Sequence, residues 1–163
     1  MTTTMHDDCA FTLETFLPYH LHTVSSLIMQ LTTRRYAREL DVSVAEGRVL
    51  TAVSSFGPLS THEIAGRTRM DKAKVSRAVK HLVARGWLLR DINPDDNRLI
   101  MLTLTREGRK IHDAVVPIIT AIEREIVDAI GANSKAAFME MLTKIEERLD
   151  KSMLEDSLLT DKS

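Results

Sequence analysis

The sequence predicts a mainly α-helical fold with one small β-hairpin, and three observations support this prediction. Apolar residues recur at the three- and four-residue spacing of amphipathic helices along most of the 163 residues. This periodicity gives way to two apolar runs of strand length only after Gly86. Hydrophobic residues make up 44% of the chain and aromatic residues only 4%, which is typical of an aliphatic helical core.

Composition limits the classes of function. The net charge of −1 argues against a protein that coats nucleic acid without specificity, although it allows a local basic patch. No apolar run approaches the length of a membrane span, and the first residues lack the pattern of a signal peptide. Because a single cysteine cannot cross-link a fold, we expect a cytoplasmic protein.

The first predicted helix runs from Leu13 to about Leu40 and carries an apolar stripe at helical spacing. Pro18 lies inside this pattern, so the helix either begins there or is kinked there.

Two capping boxes mark the starts of the second and third helices. Ser43 is followed three residues later by Glu46, and Ser60 by Glu63. In this motif the serine side chain bonds the amide three residues on, while the glutamate bonds the serine amide. The Gly57-Pro58 dipeptide ends the first of these helices.

The fourth predicted helix lies between Asp71, a good N-cap, and Gly86, which is placed for a left-handed C-terminal turn. One face of this helix is apolar, and the opposite face suits a DNA major groove. Its small residues permit close approach to the groove, its arginine can bond guanine, and its lysines and serine can reach phosphates. The alternative is a solvated surface helix. The outer face comprises Ala73, Ser76, Arg77, Lys80 and Ala84, with Lys74 at its edge.

A β-hairpin is predicted next, because two apolar runs, 87–89 and 99–104, flank the turn-rich segment 93–98. Two short helices joined by a tight turn and followed by a hairpin form the winged helix-turn-helix pattern. Asp96 and Arg98 are placed to pair at the hairpin tip, so that the guanidinium is held for entry into a minor groove. The alternative is a solvated turn.

Thr105, a predicted N-cap, opens a helix that ends at Gly131 and is expected to be kinked at Pro117, and a last helix starts near residue 133. The first helix and the last two helices carry more apolar surface than a small three-helix DNA-binding domain can cover. This excess predicts a helical dimer interface. The residues assigned to this interface are Leu13, Leu17, Ile118, Ile122, Leu142, Ile145 and Leu149.

The predicted organisation is therefore a winged helix-turn-helix DNA-binding domain over residues 43–105. A helical dimerisation region combines residues 11–42 and 106–154. Residues 1–10 and 155–163 are expected to be flexible tails.

The segment from about residue 43 to Gly108 resembles the MarR (multiple antibiotic resistance regulator) family of transcription factors. The most specific parts are the D-x-R of the wing, Asp96 and Arg98, and the L-T-x-x-G that begins at Leu104. The resemblance implies a homodimeric regulator, usually a repressor, that binds a pseudo-palindromic DNA operator and is commonly released by a phenolic or aromatic acid. The residues assigned to DNA contact are Ser60, Thr61, Lys72, Ala73, Lys74, Ser76, Arg77, Lys80, Asp96 and Arg98.

Two positions depart from the family pattern, which often has Trp where this chain has Gly47 and Arg where it has Asn97. The segments FLPYHL and DKAKVSRAV look most like members that control aromatic-acid catabolism, although those often carry Arg at the position of His20.

A small aromatic carboxylate is the predicted effector, at the junction of the first helix with the DNA-binding head. His20 flanks the apolar stripe, and an arginine cluster further along the helix could receive a carboxylate. The alternatives are a histidine bonded to a backbone carbonyl and arginines that serve as surface charge near the helix C-terminus. The candidate contacts are Tyr19, His20, Thr23, Arg34 and Arg38; Tyr36, like Tyr19, is either a wall of the ligand site or an interface residue.

Other classes of function have weaker support. Cys9 could sense oxidants, but the neighbouring Asp7 and Asp8 disfavour its thiolate. The six histidines show no paired ligand spacing, so neither a metal nor another cofactor is expected.

No phosphate loop, nucleophile elbow or H-E-x-x-H motif indicates an enzyme. A winged-helix adaptor that binds proteins instead of DNA remains a further alternative.

Overall fold

The computed structural model describes residues 12–92 and 99–160, which form six α-helices and one antiparallel two-stranded hairpin. The predicted fold class is confirmed. In chain order the elements are α1 (Leu17–Glu39), α2 (Val44–Phe56), α3 (Thr61–Thr68), α4 (Lys72–Ala84), β1 (Leu88–Ile92), β2 (Ile100–Leu104), α5 (Arg106–Ile130) and α6 (Lys135–Thr160), with short 3-10 turns at Leu13–Thr15 and Ala132–Ser134.

The start of α1 decides between the two alternatives at Pro18. The helix begins at Leu17, so Pro18 lies in its first turn, where its missing amide hydrogen costs no helical bond. Leu13–Thr15 is a separate 3-10 turn, and the predicted start at Leu13 is therefore wrong. Further along the chain, α5 is assigned as one helix across Pro117.

Both capping boxes are confirmed. The Ser43 hydroxyl accepts from the Glu46 amide at 3.2 Å, while the Ser43 amide donates to Glu46 Oε2 at 2.7 Å. Ser60 and Glu63 make the same pair of bonds at the same two distances. These boxes fix where α2 and α3 begin, because each satisfies backbone donors that the first turn of a helix leaves unpaired.

The C-terminus of α4 turns the chain into the hairpin. Gly86 has φ +68°, and its amide bonds the Val83 carbonyl at 3.0 Å while the Trp87 amide bonds the Leu82 carbonyl at 2.9 Å. This pair of bonds is a Schellman motif, which requires the left-handed conformation that glycine adopts without strain. The predicted role of Gly86 is confirmed.

One apolar core joins α2, α3, α4 and the hairpin. Its largest fully buried side chains are Leu50, Ile64, Leu82, Leu88, Leu102, Val49, Val75 and Val79. The hairpin is also tied to the α2–α3 connection, since Leu59 and Leu102 exchange backbone hydrogen bonds of 3.2 and 2.8 Å. The hairpin is thus fixed at its base to the same core that supports α3 and α4.

The chain divides into two compact units after Ile122. The first unit holds α1 to α4, the hairpin and the first part of α5. The second holds the rest of α5 and α6, and within it Lys135 pairs with Glu123 at 2.6 Å. None of the described helices is long and apolar enough to cross a membrane.

Two predictions about the helical region need correction. Residues 155–160 are helical, because the apolar spacing of Leu154 and Leu158 continues α6 with no Gly or Pro to end it; the predicted tail from 155 is wrong over these residues. Ile118 and Ile122 are only 6% and 5% exposed within one chain, so they have little surface left for a dimer interface.

Candidate nucleic-acid interface

A tight turn joins α3 to α4. Arg69 adopts a left-handed conformation with φ 52° after the last residue of α3, and Asp71 then caps α4 by accepting from the Lys74 amide at 3.0 Å. The carbonyl of Thr68 accepts a hydrogen bond from the Arg48 side chain, which ties the end of α3 to α2. This is the helix-turn-helix arrangement, in which the second helix is presented to DNA.

The two faces of α4 have opposite burial. Val75, Val79 and Leu82 are at most 1% exposed and belong to the core. Ser76 and Arg77, on the opposite face, are exposed. The predicted division of this helix into an apolar inner face and an accessible outer face is confirmed. The other exposed residues of the outer face and its edge are Lys72, Ala73, Lys74, Lys80 and Ala84.

The cations of this face bind no other described residue through their side chains. Among residues 12–92 and 99–160, no side-chain hydrogen bond or ion pair involves Lys72, Lys74, Arg77 or Lys80. Four unpaired cations on one helix make a local positive patch on a chain whose net charge is −1. Such a patch attracts phosphates without making the whole protein basic.

Ser60 and Thr61 lie at the start of α3. The Ser60 hydroxyl accepts from the Glu63 amide at 3.2 Å and bonds Glu63 Oε2 at 2.7 Å, so its first role is to cap the helix. The hydrogen bond from the Ser60 backbone lowers the pKa of the Glu63 carboxyl, which keeps this cap charged. Thr61 is partly buried. The predicted wing residues Asp96 and Arg98 lie outside the described residues.

Two contacts that were not predicted from the sequence hold the C-terminal end of α4 in place. Arg85 bonds the Asp41 carbonyl at 2.6 Å and its carboxylate at 3.0 Å, and its guanidinium lies 3.7 Å from the centre of the Trp87 ring. His81 Nδ1 lies 3.3 Å from Glu46 Oε1. A basic residue just before a helix-ending glycine was the only local indication, since such residues often bond backbone carbonyls.

The predicted effector residues are not brought together. His20 is exposed, and its Nε2 contacts the Glu14 carbonyl at 2.6 Å, which matches the alternative of a histidine bonded to backbone. Arg34 and Arg38 lie on the same helix at least fourteen residues further on, roughly 20 Å or more along its axis at a rise of about 1.5 Å per residue. A single aromatic acid cannot span that distance, so the predicted joint site within one chain is wrong.

Two of the other predicted effector residues, Tyr19 and Arg38, contact the residues next to them on α1. The Tyr19 ring packs edge-on against the His20 ring, with centroids 5.7 Å apart. Arg38 pairs with its neighbour Glu39 at 2.7 Å, and Thr23 is partly buried on α1. Cys9 lies outside the described residues.

Comparison with known proteins identifies the family. Residues 42–100 match the MarR family model, and the matched segment runs from just before α2 to the first residue of β2. Residues 42–100 of this chain therefore form a MarR-family domain. The chain is 28% identical over 96 residues to the transcriptional repressor NicR of Pseudomonas putida, an alignment that spans 59% of this chain and 61% of NicR.

Solved MarR-family structures share the fold. BpsR of Bordetella bronchiseptica, whose DNA binding is regulated by 6-hydroxynicotinic acid, superposes with a TM-score of 0.76 at 21% identity, covering 83% of this chain and 96% of BpsR. A variant of MarR from E. coli bound to operator DNA superposes with a TM-score of 0.70 at 24% identity, covering 79% of this chain and 92% of that protein. The winged-helix fold of this chain is therefore one that the E. coli MarR variant adopts when it is bound to operator DNA.

Proposed function

We propose that this MarR-family regulator is a homodimeric repressor that reads a pseudo-palindromic operator with α4. The observation that carries the proposal is the exposed outer face of α4, whose four cations have no partner within the described chain. Arg77 lies at the centre of this face and is the side chain assigned to base-edge recognition. Lys72, Lys74 and Lys80 are assigned to phosphates, which set affinity and orientation but not sequence preference.

Other contacts complete the proposed interface. Ala73 and Ser76 allow close approach of α4 to the groove, and Ser60 and Thr61 contact phosphates at the start of α3. Asp96 and Arg98 remain proposed wing contacts, with the aspartate orienting the arginine toward a minor groove.

The proposed dimer rests on exposed apolar side chains in each unit. In the first unit Leu13 and Leu17 are 48% and 60% exposed. In the second, no described residue of α6 is buried, and Leu149 is 56% exposed while Leu142 and Ile145 are partly exposed. Large exposed apolar patches are unusual on monomeric proteins. A second copy related by a two-fold axis would cover them and would place two α4 helices on one operator.

We further propose that a small aromatic acid releases this regulator from DNA. The support is the relation to BpsR, whose DNA binding responds to 6-hydroxynicotinic acid. A ligand that favours the conformation unable to bind DNA needs a coupling of about 1–3 kcal/mol to change operator affinity roughly 5–150-fold.

The test of DNA reading is Arg77→Ala, measured by fluorescence anisotropy on a duplex that the wild-type protein has selected from a randomised library. Loss of a bidentate base contact should cost about 1–3 kcal/mol on the selected duplex and little on random DNA. Arg124→Ala, which removes an exposed arginine from α5, is the matched control and should leave both affinities unchanged.

The two ways in which Arg77→Ala can fail have different meanings. Equal weakening on selected and random DNA would show that Arg77 contacts phosphate only. Unchanged affinity on both would show that the outer face of α4 is merely solvated, which contradicts the proposed interface.

A further inference from the structure

One row of side chains on α4 lies in two different environments. Arg77, His81 and Arg85 are four residues apart, so they follow one another along the same side of the helix. The Arg77 side chain bonds no other described residue and is the one assigned to DNA. His81 and Arg85 instead lie against carboxylates of the protein. The row is thus free for DNA at its N-terminal end and is held by the protein at its C-terminal end.

The contact made by Arg85 is the same at any pH used to measure DNA binding. Its guanidinium donates to the Asp41 carbonyl at 2.6 Å and to the Asp41 carboxylate at 3.0 Å. An arginine side chain keeps its charge at every pH that a protein normally meets. This pair therefore supplies a constant attachment of α4 to the connection between α1 and α2.

Glu46, in the first turn of α2, is a buried carboxylate with one unsatisfied oxygen. Only 7% of its side chain is exposed. Its Oε2 accepts from the Ser43 amide at 2.7 Å, whereas Oε1 has no hydrogen-bond partner among the described residues. The basic group within ion-pair distance of it in this part of the chain is His81, whose Nδ1 lies 3.3 Å from Oε1 without the alignment of a hydrogen bond. Because an unpaired buried charge is unfavourable, a positive charge on His81 is favoured here.

The other carboxylates near His81 already have partners. A groove runs between α4 and the segment that joins α1 to α2, and the carboxylates that line it are Glu39, Asp41 and Glu46. Glu39 pairs with Arg38 at 2.7 Å, and Asp41 pairs with Arg85 at 3.0 Å. Glu46 is therefore the carboxylate of this groove that has no arginine or lysine partner among the described residues.

The cations on α4 itself act in the opposite direction. Lys74, Arg77 and Lys80 line the same groove. Their positive charges disfavour a further charge on His81, since like charges repel. Protonation of His81 at this position on α4 thus depends on Glu46.

We propose that His81 is a positioning residue for DNA reading, whose protonated ring pairs with Glu46, fixes the C-terminal half of α4 against α2 and makes operator affinity rise as pH falls. Histidine is the side chain that ordinarily changes charge between about pH 5 and 8. The His81 side chain is 79% exposed, so it exchanges protons with solvent while its carboxylate partner is shielded. This inference rests on the proposed function, since it concerns how α4 is held for the operator.

The position of α4 affects affinity because Arg77 lies one helical turn before His81. The N-terminal end of α4 is fixed by the Asp71 cap and by the turn at Arg69. When the pair at the other half is lost, α4 populates orientations in which Arg77 does not meet a base edge. A protein that holds its binding-competent orientation for a smaller fraction of the time binds more weakly by that fraction. The charged form gives the higher affinity, so the contribution is present at low pH and is lost as pH rises.

The experiment measures the operator affinity of the full-length protein by fluorescence anisotropy at about pH 6 and about pH 8, which bracket the titration of histidine. The probe is the duplex that the wild type selects from a randomised library, and ionic strength is held constant. His81→Gln gives the baseline, because every other titrating group is still present. Relative to this baseline, the wild type should bind roughly threefold more tightly at the lower pH, as expected for one ion pair with an exposed partner.

Glu46→Gln separates the charge of Glu46 from its structural role. Glutamine also completes a capping box, so this variant keeps the start of α2 and removes the negative charge beside His81. It should lose the rise in affinity at the lower pH. Asp41→Asn is the matched control, because it removes a carboxylate of the same groove whose partner is Arg85. It should keep the wild-type rise, and circular dichroism melting should show that each variant is folded.

Three results would overturn the inference. An equal rise in the wild type and in Glu46→Gln would show that His81 acts on DNA phosphates directly. A wild type that follows the His81→Gln baseline would show that His81 does not position α4. Loss of the rise in Asp41→Asn as well would show that affinity follows the net charge of the groove and not this pair.

The same measurements distinguish this inference from the proposed function. If any of these three results is accompanied by wild-type preference for the selected duplex over random DNA, DNA reading stands and only the role of His81 fails. If the wild type shows no such preference at either pH, DNA reading itself fails, and the inference fails with it.

Discussion

Gly108→Ala is expected to destabilise the fold by about 3 kcal/mol or more, at or above the upper end of typical overpacking costs. A Cβ at position 108 would lie 1.9 Å from the carbonyl oxygen of Trp87 and 2.8 Å from its carbonyl carbon. That oxygen is held in place, because it also accepts from the Thr105 amide at 3.1 Å. Backbone atoms cannot rotate away as a side chain can, so α5 must separate from the base of the hairpin. Urea unfolding followed by circular dichroism measures the loss.

Gly66→Ala is the matched control. Gly66 is an exposed residue of α3, and nothing lies within 4 Å of an added Cβ. Alanine should leave stability unchanged or raise it by about 0.5–1 kcal/mol, since glycine is unfavourable inside a helix. If Gly108→Ala is as stable as Gly66→Ala, the close packing of the first turn of α5 on Trp87 is incorrect.

Leu142→Asp/Leu149→Asp is expected to abolish the proposed dimer. The two leucines lie seven residues apart on one side of α6, and neither is buried within a single chain. Each carboxylate placed in an interface costs several kcal/mol when it has no partner there. A penalty of about 4 kcal/mol already raises a dissociation constant roughly a thousandfold. Sedimentation equilibrium should give the monomer mass of 18.4 kDa, or aggregates, where the wild type gives twice that mass.

Lys144→Ala/Lys151→Ala has the same seven-residue spacing on α6 and the same change in net charge. It removes only exposed pairs with Glu140 and Glu155, which contribute at most about 1 kcal/mol. This control should remain dimeric and bind DNA. A Leu142→Asp/Leu149→Asp protein that is still dimeric, with wild-type operator affinity, would place the interface outside this face of α6.

Local chemistry explains what could be predicted from the sequence. A capping box or a left-handed glycine is decided by a few neighbouring residues, so the starts of α2 and α3 at Ser43 and Ser60 and the turn at Gly86 were predicted correctly. The two faces of α4 follow from helical periodicity alone, which is why the exposure of Arg77 was also predicted.

Contacts between distant segments could not be predicted. Asp41 and Arg85 are 44 residues apart, and only the fold shows that they meet. The Tyr36 ring packs over Gly47, a contact between two helices that leaves no periodic pattern in the sequence. The predicted site that joined His20 to Arg34 was wrong for a different reason. Two residues on the same side of one helix can still lie far apart along its axis.

Selection from a randomised duplex library decides whether this chain reads DNA sequence as a dimer. We expect an enriched pseudo-palindrome whose half-site centres lie about one helical turn apart, bound with an affinity that falls steeply as salt rises. Recovery of no enriched sequence, with equal affinity for every duplex at physiological salt, would contradict it.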